Sequence, residues 1–571
     1  MEHLSPLDAA FLHAEDEDRH ASLAIASVAM FDGPAPSQDA IVAAVGGRLP
    51  LVPRYRQKIR RVPFDLGHPV WVDDPHFDLS FHIRRTAVPA PGDEQALCRL
   101  VARVMSQRLD RDRPLWEAWV VEGLAGGRWA VLSKVHHCLA DGLSSNQLYS
   151  LLFDESSEPA PRIEDTWVAD PEPSTLSLTA DALGDLMRNP VKQLRLLEQG
   201  FRAPLALTRR AVDAARGLTT LARVLRPVSS STLTGPIGQQ RRYGVTRASL
   251  PDIAAASKAF GVTINDVVLA AISGALRMLL LERGEQPTPN AVRSLVPVSV
   301  RARDQQHVID NQISLMLPLL PVDLSDPVAR LTAVHERLAE LKVSKEAEAG
   351  AAMTELARHE PFPPISWGIR IAARLPQRNI VTVTTNIPGP RRPLYLLGRR
   401  MLEILPYVPI AVRLRTGIAI LTYCDQVVFG ITADYDSAPE IGLLAAAIDR
   451  GLAELVDAAH ALESSLPAPE THRSPGSRPK AEPASRAPVK KVRARAAAVT
   501  ATSAKTKPAK ATRAKTFTTN AAPPKPNATK ATPMAAAKPI AGQPRRPGPR
   551  GGSNTVQSSS LGGPAAHGSV R

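Results

Sequence analysis

Aromatic residues make up only 4% of this 571-residue chain, and cysteine occurs three times, as Cys98, Cys138 and Cys424. Cysteines this far apart form no C-x-x-C pair and no disulfide framework, which points to a reducing, cytosolic compartment. No stretch of about 18 uncharged apolar residues occurs, so no membrane-spanning helix is expected. The best candidate, Val267 to Leu281, is interrupted by Arg277 and reads as a buried helix. The opening MEHLSPLDAAFLHAEDEDRH carries acids where a secretory leader carries Lys or Arg, so no leader is expected. The phosphate loops GxxxxGK[ST] and GxGxxG are missing, and so is the G-x-S-x-G elbow of the α/β serine hydrolases. ATP, dinucleotide and serine-nucleophile chemistry therefore have no support.

Taken whole, the net charge of +15 suggests a nucleic-acid or membrane binder. Its distribution overturns that reading. Residues 471–571 hold 20 Lys and Arg against one acid, Glu482, whereas residues 1–470 hold 50 basic and 54 acidic residues. The part able to fold is mildly acidic, which excludes a basic globular domain that grips nucleic acid through its folded surface. Residues 466–571 are built from Ala, Lys, Pro, Arg, Thr and Ser, with Phe517 as their sole aromatic. Such a segment buries too little apolar surface to offset chain entropy and is expected to be disordered.

The remainder divides into three. Residues 1–160 read as a mixed α/β unit, with a strand over Ala21–Phe31 and helices over Ile41–Arg48, Glu94–Arg108 and Leu143–Phe153. A hairpin of Trp116–Val121 and Trp129–Val135 surrounds the turn-rich stretch Gly123–Gly127. Residues 161–244 read as a helical linker broken by Pro190 and Pro204. Its later part carries Lys192, Arg195, Arg202, Arg209, Arg210, Arg216, Arg223 and Arg226 against Glu198 and Asp213. That pattern suits either a solvated bridge between domains or a helix on an anionic membrane. Residues 245–465 read as a second α/β unit. Helices are expected from the Ser249 start signal to Phe260, over Asn265–Glu282 and over Ile441–Leu462. Strands are expected at Ser294–Val300, Gln312–Leu319, Ile380–Asn386, Ile418–Tyr423 and Gln426–Thr432. Two α/β units of similar size and order suggest a pseudo-duplicated architecture.

The stretch that carries chemistry is Lys134-Val135-His136-His137-Cys138-Leu139-Ala140-Asp141-Gly142. Adjacent strand side chains face opposite ways, so His136 and His137 cannot both enter one site while strand geometry lasts. This argues against zinc, and no metal site is expected. One histidine facing a cleft is a natural general base, since its ordinary pKa of about 6.5 lies near neutrality. Asp141, after a turn, can hold the ring or brace the loop, and Gly142 lets the chain turn tightly. Cys138 reads as a buried small hydrophobe rather than a nucleophile. A base without a protein nucleophile implies direct transfer, in which an acceptor hydroxyl attacks an activated carbonyl.

His136-His137-x-x-x-Asp141-Gly142 resembles the HHxxxDG motif of the CoA-dependent acyltransferase superfamily. Leu4-Ser5-Pro6-Leu7-Asp8, Pro114-Leu115-Trp116, Asn265-Asp266-Val267-Val268-Leu269-Ala270 and Asn386-Ile387-Pro388-Gly389-Pro390 narrow the resemblance. Together they are similar to segments of the bacterial wax ester synthase/diacylglycerol acyltransferase family, in the right order over residues 1–462. The resemblance implies two chloramphenicol-acetyltransferase-like α/β halves around a central tunnel. It implies His137 as the base, His136 and Asp141 in support, and Gly142 at the loop turn. It makes Asn265 a candidate for positioning groups near the reacting carbonyl, with Asp266 the more structural of the pair. Both also suit a helix N-terminal cap. Pro114-Leu115-Trp116 reads as a strand start and a packed Trp. Thr385 and Tyr435 depart from the family pattern, in which Ser and a basic residue are common at those places, and the basic tail is not part of it.

The implied reaction is transfer from acyl-CoA, a substrate rather than a cofactor, to diacylglycerol or a long-chain alcohol. No cofactor is expected. Products this apolar place the protein in the cytoplasm at the inner membrane or a lipid droplet surface. Two alternatives stand beside this reading. One is a same-fold acyltransferase for a polar or polyketide-derived hydroxyl. The other is a non-catalytic tether whose tail holds anionic lipid or nucleic acid by charge.

Overall fold

The structure, a computed structural model, describes residues 2–139, 149, 152–159, 161, 163–188, 231–299, 313–343, 380–411 and 413–465. Asp141, Gly142, most of the basic linker segment and the tail lie outside the described residues. All described elements belong to one unit, Met1–His472.

In chain order the strands are β1 (Glu2–His3), β2 (Ala24–Phe31), β3 (Gln57–Arg60), β4 (Val70–Asp73), β5 (Ile83–Ala87), β6 (Trp116–Leu124), β7 (Arg128–His136), β8 (Arg241–Ser249), β9 (Ser294–Ser299), β10 (Ile313–Met316), β11 (Thr382–Ile387), β12 (Tyr395–Leu396), β13 (Arg399–Tyr407), β14 (Thr416–Tyr423) and β15 (Gln426–Asp434). The α-helices are α1 (Pro6–Glu17), α2 (Gln38–Gly46), α3 (Leu79–His82), α4 (Glu94–Met105), α5 (Thr175–Arg188), α6 (Leu250–Phe260), α7 (Ile264–Glu282), α8 (Pro327–Val343) and α9 (Ile441–Ser465).

Two six-stranded mixed sheets carry the fold, in the orders β12-β13-β2-β7-β6-β5 and β10-β9-β11-β14-β15-β8. β1, β4 and β3 form a small third sheet. The expected hairpin is β6–β7, pairing Trp116 with Val135. Its turn needs φ of 75° at Gly126 and 70° at Gly127, which glycine adopts without a Cβ penalty.

The two halves are stitched together. β13 leaves the C-terminal half and pairs antiparallel with β2, setting Tyr407 against Ala26. α4 reciprocates: Leu97, Cys98 and Val101 share a hydrophobic core with Tyr243 of β8 and Val428 of β15. The crossing of β13 over β15 is tight. A Cβ on Gly430 would lie 1.7 Å from the Pro406 carbonyl oxygen, and the Tyr243 hydroxyl donates to that same oxygen at 2.7 Å.

β14 is buried along its whole length, which explains its continuous apolar run. Ile418 and Ile420 face a core shared with α7 and α9, while Ala419 and Leu421 face Val408 and Ile404 on the other side. α7 is apolar nearly all round because it is buried nearly all round; its length and hydropathy would also suit a membrane span. Removing one of its buried leucines, such as Leu276, would cost about 2–5 kcal/mol.

Candidate active site

Two side-chain clusters hold the residues that the sequence singles out. The first gathers around the end of β7. α1 starts where Ser5 accepts the Asp8 N–H at 3.1 Å and donates its own hydroxyl to the Asp8 carboxylate at 2.6 Å. The Leu4-Ser5-Pro6-Leu7-Asp8 segment is thus a helix start, and the helix carries Phe11 and Glu15 to the histidines.

His136 closes β7, and its backbone N–H donates to the Leu115 carbonyl at 2.9 Å. His137 opens a 3-10 turn over His137–Leu139, where the strand alternation ends. Its N–H donates to the Leu23 carbonyl at 3.1 Å, and its ring stacks on Phe11 with centroids 4.0 Å apart. The Leu23 carbonyl thus holds the start of the turn, and the Leu115 carbonyl holds the end of β7. Trp116 packs beyond it, stacked on His82 and Tyr55, with its indole N–H donating to the Tyr55 carbonyl at 2.8 Å. The Pro114-Leu115-Trp116 segment thus has a structural role here.

His136 is wholly buried, and its ring state follows from its neighbours. Nδ1 accepts the Cys138 N–H at 3.3 Å and lies 2.9 Å from Cys138 Sγ. A neutral ring therefore carries its proton on Nε2. Nε2 stands 3.5 Å from Glu15 Oε2, an electrostatic pairing without an aligned hydrogen bond. Burial, opposed by the Glu15 charge, pushes the His136 pKa down and keeps the ring neutral. The Cys138 thiol is pushed well above its ordinary range by burial, so it stays protonated, not a thiolate nucleophile.

Glu15 is the residue that motif reasoning missed. It is 1% exposed. Its Oε1 accepts the Leu23 N–H at 2.9 Å, and Arg111 pairs with its other oxygen. Burial alone would raise its pKa, but His136, Arg111 and the Leu23 N–H together hold it down to about 2. One ionised carboxylate thus ties α1 to Leu23, the residue whose carbonyl holds His137. The signal was an acid in a helix whose other face is apolar; nothing in the sequence pairs it with residues about 120 positions away.

His137 is half-buried. Burial, reinforced by neighbouring His136, lowers its pKa to about 4. At neutral pH the ring is uncharged and free to accept a proton.

The second cluster sits at the N-terminus of α7. Thr263 and Asp266 form a capping box: Thr263 Oγ1 accepts the Asp266 N–H at 3.2 Å, and Asp266 Oδ2 accepts the Thr263 N–H at 2.9 Å. Asp266 Oδ2 also lies 2.8 Å from His335 Nδ1 of α8. Asp266 therefore has a structural role. Asn265 differs: its Oδ1 accepts from Asn386 Nδ2 at 3.2 Å. The structure thus brings the two asparagine segments together. Beyond Asn386, the Gly389 N–H donates to Thr422 Oγ1 at 2.9 Å. Among the described residues no hydrogen bond joins His137 to Asn265 or Asn386.

Comparison with known proteins decides the family. A family model described as the wax ester synthase/diacylglycerol acyltransferase catalytic domain matches residues 4–268, and one described as the WS/DGAT C-terminal domain matches residues 309–456. The chain belongs to the wax ester synthase/diacylglycerol acyltransferase family. A Mycobacterium tuberculosis (strain H37Rv) relative named a probable diacylglycerol O-acyltransferase is 45% identical over 457 residues, covering 80% of this chain and 96% of that one. The solved wax ester synthase/diacylglycerol acyltransferase from Marinobacter aquaeolei VT8 superposes with a TM-score of 0.56 at 26% identity, covering 80% of this chain and all of that one. This member of the family is accordingly an acyltransferase with the family's mixed α/β fold.

Proposed function

We propose that this enzyme transfers a long-chain acyl group from its CoA thioester to diacylglycerol, and to long-chain alcohols, by direct general-base attack. The observation that carries this reading is His137, a neutral imidazole set just past the end of a strand. Among the described residues it is held by the Leu23 carbonyl and the Phe11 ring. A ring nitrogen of His137 takes the proton of the acceptor hydroxyl, and the freed oxygen attacks the thioester carbonyl. The C–O bond forms and the C–S bond breaks. The departing CoA thiolate takes the proton back from the imidazolium, and the base is regenerated.

His136 and Glu15 serve as positioning residues. Asn265, tethered to Asn386, is assigned the placement of groups near the reacting carbonyl. Asp141 and Gly142, which lie outside the described residues, are assigned the supporting roles that the motif implies. The products are too apolar for water, so the enzyme works at the inner membrane or a lipid droplet surface, with the basic tail as an accessory electrostatic tether. The test offers palmitoyl-CoA with diacylglycerol and hexadecanol in parallel to the purified protein. Triacylglycerol and wax ester are the expected products. Absence of both overturns the acceptor assignment.

A further inference from the structure

Lysine is almost never buried whole, yet Lys134 of β7 is 1% exposed. It stands two residues before His136, so both side chains leave the same face of the strand. Among the described residues no carboxylate pairs with its ammonium. Glu117 lies directly opposite on β6, but its carboxylate is taken by Arg84 at 3.0 Å and by the Trp119 indole N–H at 2.9 Å. Lys134 Nζ donates instead to the carbonyls of Val104 at 2.9 Å and Gln107 at 2.6 Å.

Val104 belongs to the last turn of α4, and Gln107 lies just past its end. Carbonyls there lack partners within the helix and carry the negative end of its dipole, so a cation is well placed. Burial lowers the Lys134 pKa to about 8, opposed by Glu117 and Glu15 and reinforced by Arg84. The group is therefore an ammonium at neutral pH. A methionine would fill the same slot without the cost of burying a charge. What the lysine adds is a fixed exit for α4.

That exit feeds the framework behind the candidate base. The Gln107 carbonyl also accepts the Ser22 hydroxyl at 3.2 Å. Arg108, the next residue, donates to the Ala21 carbonyl at 2.9 Å and to the carbonyls of Glu15 and Asp18. Arg111 pairs with the Glu15 carboxylate. The stretch Gln107–Arg111 thus grips both Glu15 and the backbone leading to Leu23. Glu15 holds the Leu23 N–H, and the Leu23 carbonyl accepts the N–H of His137. These contacts leave β7 at Lys134 and return to its end at the His137 turn.

We propose that Lys134 is a positioning residue for acyl transfer: by gripping the exit of α4 it holds Ser22 and Leu23, and through them the His137 ring, in place. It makes no hydrogen bond to either histidine, and its role rests on the reading of His137 as the base. Without it Gln107, Ser22 and Arg108 lose a shared anchor, the turn admits water, and the imidazole regains hydration that favours its charged form. The charged groups around the histidine turn are Asp8, Glu15 and Asp16 of α1 and Arg111, all of which the variants below retain.

The test uses full-length Lys134→Met, which keeps the apolar stem, and Lys134→Arg, which keeps donors and charge. Thermal unfolding establishes that each is folded at the assay temperature. In Lys134→Met, kcat for palmitoyl-CoA and diacylglycerol should fall about 10–10²-fold, with the KM for palmitoyl-CoA within about twofold of wild type. The acid limb of kcat/KM should rise from about 4 by about one pH unit or more, toward the ordinary histidine value of about 6.5. Hydrogen exchange at the His137 ring C2 position, read by mass spectrometry and resolved from His136 by fragmentation, should show the same upward shift and needs no turnover. Lys134→Arg should recover most of the lost kcat. A folded Lys134→Met with wild-type kcat, a fall in kcat with the His137 titration unmoved, or an arginine variant no better than methionine overturns the proposal. If Lys134→Met yields no folded protein, Ser22→Ala carries the test, because it removes only the other hydrogen bond to the Gln107 carbonyl. Both readouts should then move the same way by a smaller amount, and no movement overturns the proposal. If wild type transfers to no acceptor, the reading of His137 as the base fails by itself, and the exchange measurement decides whether Lys134 holds the turn.

Discussion

Glu15→Gln removes one charge from the framework behind the histidine turn and leaves nearly the same shape. The amide oxygen can still accept the Leu23 N–H, so what disappears is the ionised partner of Arg111 and the charge facing His136. The folded-state pKa of Glu15 is about 2 against an ordinary 4.5. A depressed carboxylate contributes stability that is fully present above its unfolded pKa and is lost as pH falls through its folded pKa. A shift of that size corresponds to about 3 kcal/mol at neutral pH. Arg111 is 32% exposed, so its share is partly screened by solvent and about 3 kcal/mol is an upper value. Urea unfolding of wild type and Glu15→Gln, followed by tryptophan fluorescence at several pH values, measures the difference directly. It should be about 2–3 kcal/mol at pH 7 and less than half of that near pH 3. Acyl transfer should fall as well, because Leu23 and the His137 turn lose their brace. A variant within about 0.5 kcal/mol of wild type at pH 7, the range of an ordinary surface substitution, would refute the reasoning.

Cys138→Ala should keep acyl transfer while losing about 1 kcal/mol of stability, since the thiol is buried and protonated; a loss of turnover matching that of a His137 variant would instead make the thiol a participant. Gly430→Ala should yield little folded protein, because the new methyl would overlap the Pro406 carbonyl at the strand crossing; normal yield and thermal midpoint would contradict that. The pH profile of kcat/KM should report the lowered pKa of His137. The neutral ring prevails above about 4, so activity is level through neutrality and falls only as pH drops through that value. An inflection near the ordinary histidine value would contradict the burial argument.

Much of the architecture was legible because period and punctuation agreed. Trp116–Leu124 and Arg128–His136 are β-rich runs on either side of a glycine-rich turn, and α6, α7 and α9 carry clear start signals or long apolar patterns. The observed strand Thr382–Ile387 lies close to the expected Ile380–Asn386, and the helix expected over Glu94–Arg108 ends at Met105. What escaped was non-local. β13, with Arg399, Arg400, Glu403 and Pro406, does not read as a central strand, yet the partner sheet and the close approach to Gly430 hold it there. β8 was split between the linker and the second unit because its residues alternate weakly. In the site, the pair His136-His137 stood out by composition and spacing. Glu15 and Arg111 did not, because their value lies in a three-dimensional meeting with Leu23 and His136. The Asn265–Asn386 hydrogen bond joins two motifs that the sequence shows only as separate segments.

The central claim is that His137 moves the acceptor's proton. Single-turnover transfer from palmitoyl-CoA to diacylglycerol, with His137→Ala beside wild type and CoA binding measured for both, tests it most directly. The account predicts a fall in the transfer rate of about 10²–10⁴ with CoA binding retained. Transfer in His137→Ala at the wild-type rate would contradict it.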